Sequence, residues 1–230
     1  MSGARTLILG DIHGTIEVVD QALRAHPADL VIQVGDFGVI WGLDHAERLA
    51  ALDAILDHHN SKLWWIDGNH ENFPLLLAEY GADPNDLNPT GMTANVTYLP
   101  RGYVHTFPSG RRAMFFGGAP SVDQQDRIIG YSWWDEERIT DDQVERALAR
   151  RPVHCMFTHE APRLPPLTFR SISPTIQRQC NASRGAIHEL VRALKPETLW
   201  HGHYHYHYRT QVDQTEVIGL AANQAVSMPG

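Results

Sequence analysis

The stretch Gly10-Asp11-Ile12-His13-Gly14 follows directly on the apolar run Thr6-Leu7-Ile8-Leu9. An apolar run that ends at glycine is typical of a buried strand, which delivers the next side chains to the C-terminal edge of a sheet. Asp11 and His13 are two residues apart, so an extended backbone would direct both to the same side. A carboxylate and an imidazole that project together can form half of a metal site. The same residues also fit a turn with a capping aspartate and an ordinary loop histidine.

Length and composition predict one globular domain over residues 1–230. The chain is 43% apolar and 20% charged, with a net charge of −8, which argues against a strongly basic surface for nucleic acids. Only Cys155 and Cys180 occur, so a disulfide framework is not expected. Two cysteines fit a location in the reducing cytoplasm. The start of the chain shows no signal pattern, and no apolar stretch approaches the length needed to cross a membrane.

The first half of the chain alternates strand and helix patterns. Apolar runs at 6–9, 30–34 and 63–66 predict strands, and helical spacing at 15–25 and 44–59 predicts the intervening helices. This alternation predicts a parallel sheet with right-handed crossovers. Each strand is followed by a polar loop containing glycine, at the edge where open α/β sheets form ligand sites.

The pattern changes after a polar stretch at 81–95. Short apolar runs at 96–99, 103–107 and 112–116 are separated by turns and predict an antiparallel meander that begins a second sheet. The proline-containing stretch 161–182 is predicted to be a long loop, followed by a helix from Ser183 to Leu194. Together with 81–95, it is expected to form the walls of a pocket.

Polar side chains follow five of the predicted strands. In chain order they are Asp11 with His13, Asp36, Asn69 with His70, His159, and His203 with His205. On one sheet edge, such a set suits two borderline divalent cations, because a lone cation would not use so many ligands. The nearby His201 and His207 alternate with tyrosines, which predicts a strand in which they are mainly structural.

Five motifs in this order resemble the calcineurin-like metallophosphoesterase family: Gly-Asp-Ile-His-Gly at 10–14, Gly-Asp at 35–36, Gly-Asn-His-Glu at 68–71, Thr-His at 158–159 and Gly-His-Tyr-His at 202–205. A single Gly-Asp carries no information, whereas five ordered matches over nearly the whole chain are highly specific. The resemblance implies an α/β fold, a four-layer sandwich of two mixed β-sheets flanked by helices.

The resemblance also implies that seven side chains hold two metals sharing one carboxylate: Asp11, His13 and His205 on the first metal, Asn69, His159 and His203 on the second, and Asp36 between them. It implies that a bridging water or hydroxide attacks phosphorus, and that His70 protonates the leaving oxygen or stabilises the transition state. The expected cofactors are two divalent cations, with Mn²⁺ as first choice and Fe, Zn or Mg as alternatives.

One departure from the family pattern narrows the expected activity. In protein Ser/Thr phosphatases, the second motif continues with an aspartate that supports the catalytic histidine and an arginine that binds phosphate. Here Val39 and Ile40 take those places, so the sequence is more similar to smaller bacterial and phage phosphoesterases. Arg127 is the candidate for substrate binding, with Arg170 and Arg178 as alternatives.

The sequence therefore predicts a binuclear-metal phosphoesterase that hydrolyses phosphomonoesters or phosphodiesters of small molecules or nucleotides. A metal-dependent nuclease is the alternative enzyme, although the acidic net charge disfavours long nucleic acids as partners. A non-catalytic, metal-stabilised binding domain is a third hypothesis. Glu71 could orient the neighbouring loops or simply begin a helix.

Overall fold

The computed structural model describes residues 5–164 and 172–228, and its strands form two sheets. Within these residues the first sheet has six strands: β1 (Thr6–Leu9), β2 (Leu30–Gln33), β3 (Lys62–Trp65), β4 (Thr90–Gly91), β5 (Val96–Tyr98) and β12 (Ala225–Ser227). Their spatial order is β12-β1-β2-β3-β5-β4. Strands β1, β2, β3 and β5 are parallel, whereas β4 and β12 run antiparallel at the two edges.

The second sheet has the same plan. Over the described part of the chain its six strands are β6 (Tyr103–Thr106), β7 (Arg112–Phe116), β8 (Cys155–Thr158), β9 (Thr198–His201), β10 (Tyr208–Val212) and β11 (Thr215–Gly219). The spatial order is β10-β11-β9-β8-β7-β6, with a parallel centre and antiparallel strands at both edges.

Helices cover the outer face of each sheet. α1 (Glu17–Ala25) and α2 (His45–His58) share a buried apolar cluster with the first sheet, and α4 (Asp141–Leu148) and α5 (Pro174–Leu194) share one with the second. The short α3 (Phe73–Leu75) leads directly into a π-helical segment, Leu76–Tyr80. The order helix, sheet, sheet, helix confirms the predicted four-layer α/β fold.

The apolar run in β1 is continuous because both of its faces are buried. Leu7 and Leu9 belong to the cluster beneath α1 and α2, whereas Ile8 belongs to the cluster between the two sheets. In that middle layer it is grouped with large side chains from the second sheet, including Phe157 and Trp200. Burial on both faces replaces the apolar–polar alternation of a half-exposed strand with an unbroken apolar run.

The predicted three-stranded meander is wrong in its first strand. Val96–Tyr98 pairs in parallel with β3 and so belongs to the first sheet. Only Tyr103–Thr106 and Arg112–Phe116 form the expected antiparallel hairpin of the second sheet. Short apolar runs look alike in sequence, and the choice of pairing partner depends on contacts that are distant in the chain.

The predicted start of the last helix also changes. α5 begins at Pro174, because proline tolerates the first helical turn and the Ser173 side chain accepts a hydrogen bond from the Ile176 amide. The expected loop is therefore much shorter, and its residues 165–171 lie outside the described part. The strand-like alternation of His201 and His207 with tyrosines does not form a continuous strand, since β9 ends at His201 and β10 begins at Tyr208.

Candidate metal centre

The seven predicted ligands come from five loops that follow parallel strands. Loops after β1, β2 and β3 carry Asp11 with His13, Asp36, and Asn69. Those after β8 and β9 bring His159, and His203 with His205, from the second sheet. The C-terminal ends of the parallel strands in the two sheets therefore lie on the same side of the molecule. The loops that follow them meet above the middle layer.

Four of these side chains form one tight group: Asp11, His13, Asp36 and His205. One ligand atom of each lies within 4.8 Å of those of the others. His205 Nε2 is 3.0 Å from Asp11 Oδ2 and 3.1 Å from His13 Nε2. Two imidazoles and two carboxylates that converge in this way match the donors that borderline divalent cations prefer.

A second group forms around His159, which is fully buried. His159 Nε2 lies 3.3 Å from Asp36 Oδ1 and 3.2 Å from Asn69 Oδ1. On the other side of the ring, Nδ1 lies 2.9 Å from the Val34 carbonyl oxygen, to which it donates. This second contact turns Nε2 towards the site, the orientation that metal-binding histidines require. The ring centroid of His203 is 5.0 Å from that of His159.

The Asp36 carboxylate lies between the two groups. Its Oδ1 faces His159, and its Oδ2 is 3.8 Å from His13 Nε2. The amides of Asn69 and His70 donate to Oδ1 at 2.9 and 2.8 Å, which fixes the carboxylate orientation. Asp11 is fixed similarly, since the His203 amide lies 3.1 and 3.0 Å from its two oxygens.

Four of the proposed ligands have left-handed backbones. The φ angles are 44° at His13, 53° at Asp36, 70° at His203 and 58° at His205. Residues other than glycine adopt this region uncommonly, and such conformations concentrate at functional sites. The expectation that an extended backbone aligns Asp11 with His13 is therefore wrong, because a tight turn brings the two side chains together.

Asp36 and His159 balance each other electrostatically in the buried site. Burial acts to raise the pKa of Asp36, but the neighbouring His159 outweighs it and holds that pKa well below its usual range. Burial likewise acts to lower the pKa of His159, but Asp36 raises it to about 10. The carboxylate thus needs a positive partner, and a bound cation would replace the imidazole proton. Donor types, ligand orientation and charge all fit divalent cations.

Glu71 orients the loops rather than beginning a helix. Its Oε1 accepts from the Phe37 amide at 2.7 Å and its Oε2 accepts from the Gly38 amide at 3.1 Å. The helix that follows is instead capped by Asn72. Glu71 therefore holds the loop after β2 against the loop after β3.

His70 and Arg127 lie side by side at the edge of the site. Arg127 Nη2 is 2.6 Å from His70 Nε2, and Arg127 Nε is 3.0 Å from Asp123 Oδ2. The His70 ring centroid is 5.1 Å from that of His13. Burial lowers the pKa of His70, and the Arg127 charge lowers it further, although Asp36 acts in the opposite direction. Arg127 thus contacts the His70 ring, for which the sequence had identified no supporting partner.

The other predicted positions fall outside the site. Val39 and Ile40 are fully buried in the apolar cluster beneath the helices. Arg178 is exposed on α5 and bonds the Thr175 hydroxyl, and Arg170 lies outside the described residues.

Sequence reasoning missed a link between the loops after β8 and β9. The Tyr204 hydroxyl donates to Glu160 Oε1 at 2.8 Å, and Glu160 is fully buried. Each of the two residues directly follows a proposed histidine ligand, and this position beside a ligand was the available sequence signal.

Comparison with known proteins identifies the family of this chain. The family model described as calcineurin-like phosphoesterase matches residues 4–207. The chain belongs to that family. It is accordingly a metallophosphoesterase, a metal-binding hydrolase. Asp11, His13, Asp36 and His205 form a group that could hold a metal ion. No curated protein sequence matches the chain significantly.

Solved structures show the same fold at low sequence identity. TT1561 of Thermus thermophilus is 9% identical with a TM-score of 0.59, and the match covers 99% of each chain. A putative 5'-nucleotidase from Staphylococcus aureus is 15% identical with a TM-score of 0.52, covering 98% of this chain and 51% of that one. At these identities the likeness concerns the fold alone.

Among the described helices, none combines the length and the apolar character that crossing a bilayer requires.

Proposed function

We propose that this metallophosphoesterase uses two divalent cations to hydrolyse phosphomonoesters or phosphodiesters of small molecules or nucleotides. The position of Asp36 supports this best, because its two oxygens face different groups of nitrogen and oxygen donors. The first cation would be held by Asp11, His13 and His205. The second would be held by Asn69, His159 and His203. Mn²⁺ is the first expectation, with Fe, Zn or Mg as alternatives.

The two cations would supply Lewis-acid polarisation of the phosphoryl oxygens and lower the pKa of the attacking water. The protein orients the ligands through the amides that bond Asp36 and Asp11 and through the Val34 carbonyl that fixes His159. These contacts exist before substrate arrives, so little reorganisation is needed during the reaction.

His70 and Arg127 are the proposed groups for the substrate. Arg127 carries a permanent positive charge next to His70 and suits a phosphoryl oxygen. His70 would donate a hydrogen bond or a proton to the leaving oxygen from the edge of the site. Val39 and Ile40, buried in the core, supply neither group, which supports small phosphoesters over phosphoproteins as substrates.

The test compares wild type with Asp36→Ala, using Asp57→Ala on the exposed side of α2 as the control. Metal content is measured after loading with Mn²⁺, and hydrolysis is measured with para-nitrophenyl phosphate and bis-para-nitrophenyl phosphate. We expect two cations per wild-type chain and at least a ~100-fold rate loss in Asp36→Ala, since the shared carboxylate is removed. Equal rates in wild type and Asp36→Ala would refute the proposal.

A second comparison separates small substrates from polymers. Mononucleotides, cyclic nucleotides and single-stranded DNA are offered at two salt concentrations. We expect turnover of the small phosphoesters with weak salt dependence. Preferred cleavage of DNA that falls steeply with salt would instead indicate a nuclease.

A further inference from the structure

A buried chain of hydrogen bonds leads from Glu137 to the amide of Asn69. Ser121 Oγ donates to Glu137 Oε2 at 2.7 Å, and Asn69 Nδ2 donates to Ser121 Oγ at 3.2 Å. All three residues are buried, with exposed fractions of 1% for Glu137, 0% for Ser121 and 5% for Asn69. In such a dry setting, hydrogen bonds have few alternative partners and therefore specify one arrangement.

The direction of the chain follows from the donors around Glu137. Its Oε1 accepts from the Ser121 amide at 2.8 Å and from Trp133 Nε1 at 2.6 Å, and neither of these groups can accept. With the carboxylate ionised, the Ser121 hydroxyl donates its only proton to Oε2. The remaining lone pairs of that hydroxyl can only accept, so the NH₂ end of Asn69 faces Ser121.

This direction decides which end of the Asn69 amide faces the metal centre. With Nδ2 turned towards Ser121, Oδ1 is directed at His159 Nε2 at 3.2 Å. A reversed amide would present two protons to the site and could not ligate a cation. The backbone of Asn69 is held as well, because Arg127 Nη1 donates to its carbonyl oxygen at 3.1 Å.

We propose that Ser121 and Glu137 are positioning residues that fix the Asn69 amide with its oxygen towards the metal centre and thereby set the affinity of the second cation. The inference rests on the proposed two-cation function. Partners of metal ligands outside the coordination sphere typically contribute about 10–100-fold in metal affinity.

The first experiment is a calorimetric titration with Mn²⁺ at pH 8, comparing wild type, Ser121→Ala and Ser61→Ala. Ser61 is the matched control, because it is also buried but donates to the Ala28 carbonyl oxygen. We expect Ser121→Ala to weaken one of two binding steps by about 10-fold or more and to leave the other step within about twofold. Ser61→Ala should leave both steps unchanged.

Two results would overturn the inference while leaving the proposed function standing. One is two unchanged steps in Ser121→Ala, and the other is equal weakening of both steps, which indicates a general loss of structure. A wild-type protein that binds only one cation contradicts the two-cation function itself, so the two failures are distinguishable.

A double-mutant cycle with Asn69→Asp separates orientation from general packing. A carboxylate presents an oxygen whichever way it is turned, so loss of the Ser121 hydroxyl should then change the second step by less than about threefold. An equal effect of Ser121→Ala on the asparagine and aspartate backgrounds would show that Ser121 does not act through the amide, and would reject the inference.

Discussion

The backbone of Gly68 lies directly against the carboxylate of Asp36. A β-carbon at Gly68 would come within 2.1 Å of Asp36 Oδ1 and within 2.3 Å of the Asp36 amide nitrogen. Both atoms belong to the residue proposed to bridge the cations. The glycine is thus required by close approach between the loops after β2 and β3.

Gly68→Ala should displace Asp36 and reduce metal binding and turnover together. We expect a loss of activity of at least about 100-fold and fewer than two bound cations per chain, measured by metal analysis after Mn²⁺ loading. Gly91→Ala is the control, because a β-carbon there meets nothing within 4 Å and no left-handed φ is involved. Full metal content in Gly68→Ala would show that the loops can separate without cost.

Arg127→Ala should weaken substrate binding more than it slows turnover of the bound substrate, so that KM changes more than kcat. Removing the guanidinium takes away a positive charge that suits a phosphoryl oxygen, so we expect KM to rise by about 10-fold or more. Arg178→Ala, on the exposed face of α5, should leave KM unchanged. Steady-state kinetics with para-nitrophenyl phosphate measures both parameters. A fall in kcat at constant KM would indicate instead that Arg127 only positions His70.

Arg101→Met should strongly destabilise the protein. Arg101 Nη2 and Nε lie 2.5 and 2.9 Å from Asp67 Oδ2, and both side chains are fully buried. Removing one partner leaves the Asp67 charge buried and unpaired, which costs about 3–5 kcal/mol in the free energy of unfolding. The exposed pair of Arg5 and Asp29 provides the control, since Arg5→Met should cost less than about 1 kcal/mol.

Urea unfolding followed by tryptophan fluorescence measures these differences. A change below about 1 kcal/mol in Arg101→Met would mean that water or another cation compensates Asp67.

Glu137 should make stability depend on pH. Burial raises the pKa of Glu137 to about 7, against hydrogen bonds from Ser121 and Trp133 and the Arg127 charge, which favour the ionised form. The folded protein therefore holds this proton more tightly than the unfolded chain does. Its contribution is fully present below about pH 4.5 and is lost as pH rises through about 7, a change of about 3 kcal/mol.

Unfolding at pH 5 and at pH 8 in wild type and Glu137→Gln measures this dependence. Glutamine cannot ionise, so the stability difference between the two pH values should shrink by about 2–3 kcal/mol in the variant. An identical pH dependence in both proteins would show that Glu137 keeps its ordinary pKa.

The sequence alone determined the layered α/β fold and the loops that carry the proposed ligands. Buried parallel strands need unbroken apolar runs, and the polar residues that follow such runs must meet at one sheet edge. This local logic identified Asp11, Asp36 and His159 before any contact was known. The family resemblance suggested the role proposed for His70, and Arg127 was a candidate for binding the substrate phosphate.

Tertiary structure decided what depends on partners far apart in the chain. Val96–Tyr98 pairs with β3 in the first sheet, and its own sequence pattern does not specify that partner. The left-handed turns at His13 and His205 arise where loops from different sheets meet. The chain from Glu137 through Ser121 to Asn69 links segments more than fifty residues apart. Local periodicity specifies which face a side chain takes, whereas hydrogen-bond partners across the fold are fixed only by long-range packing.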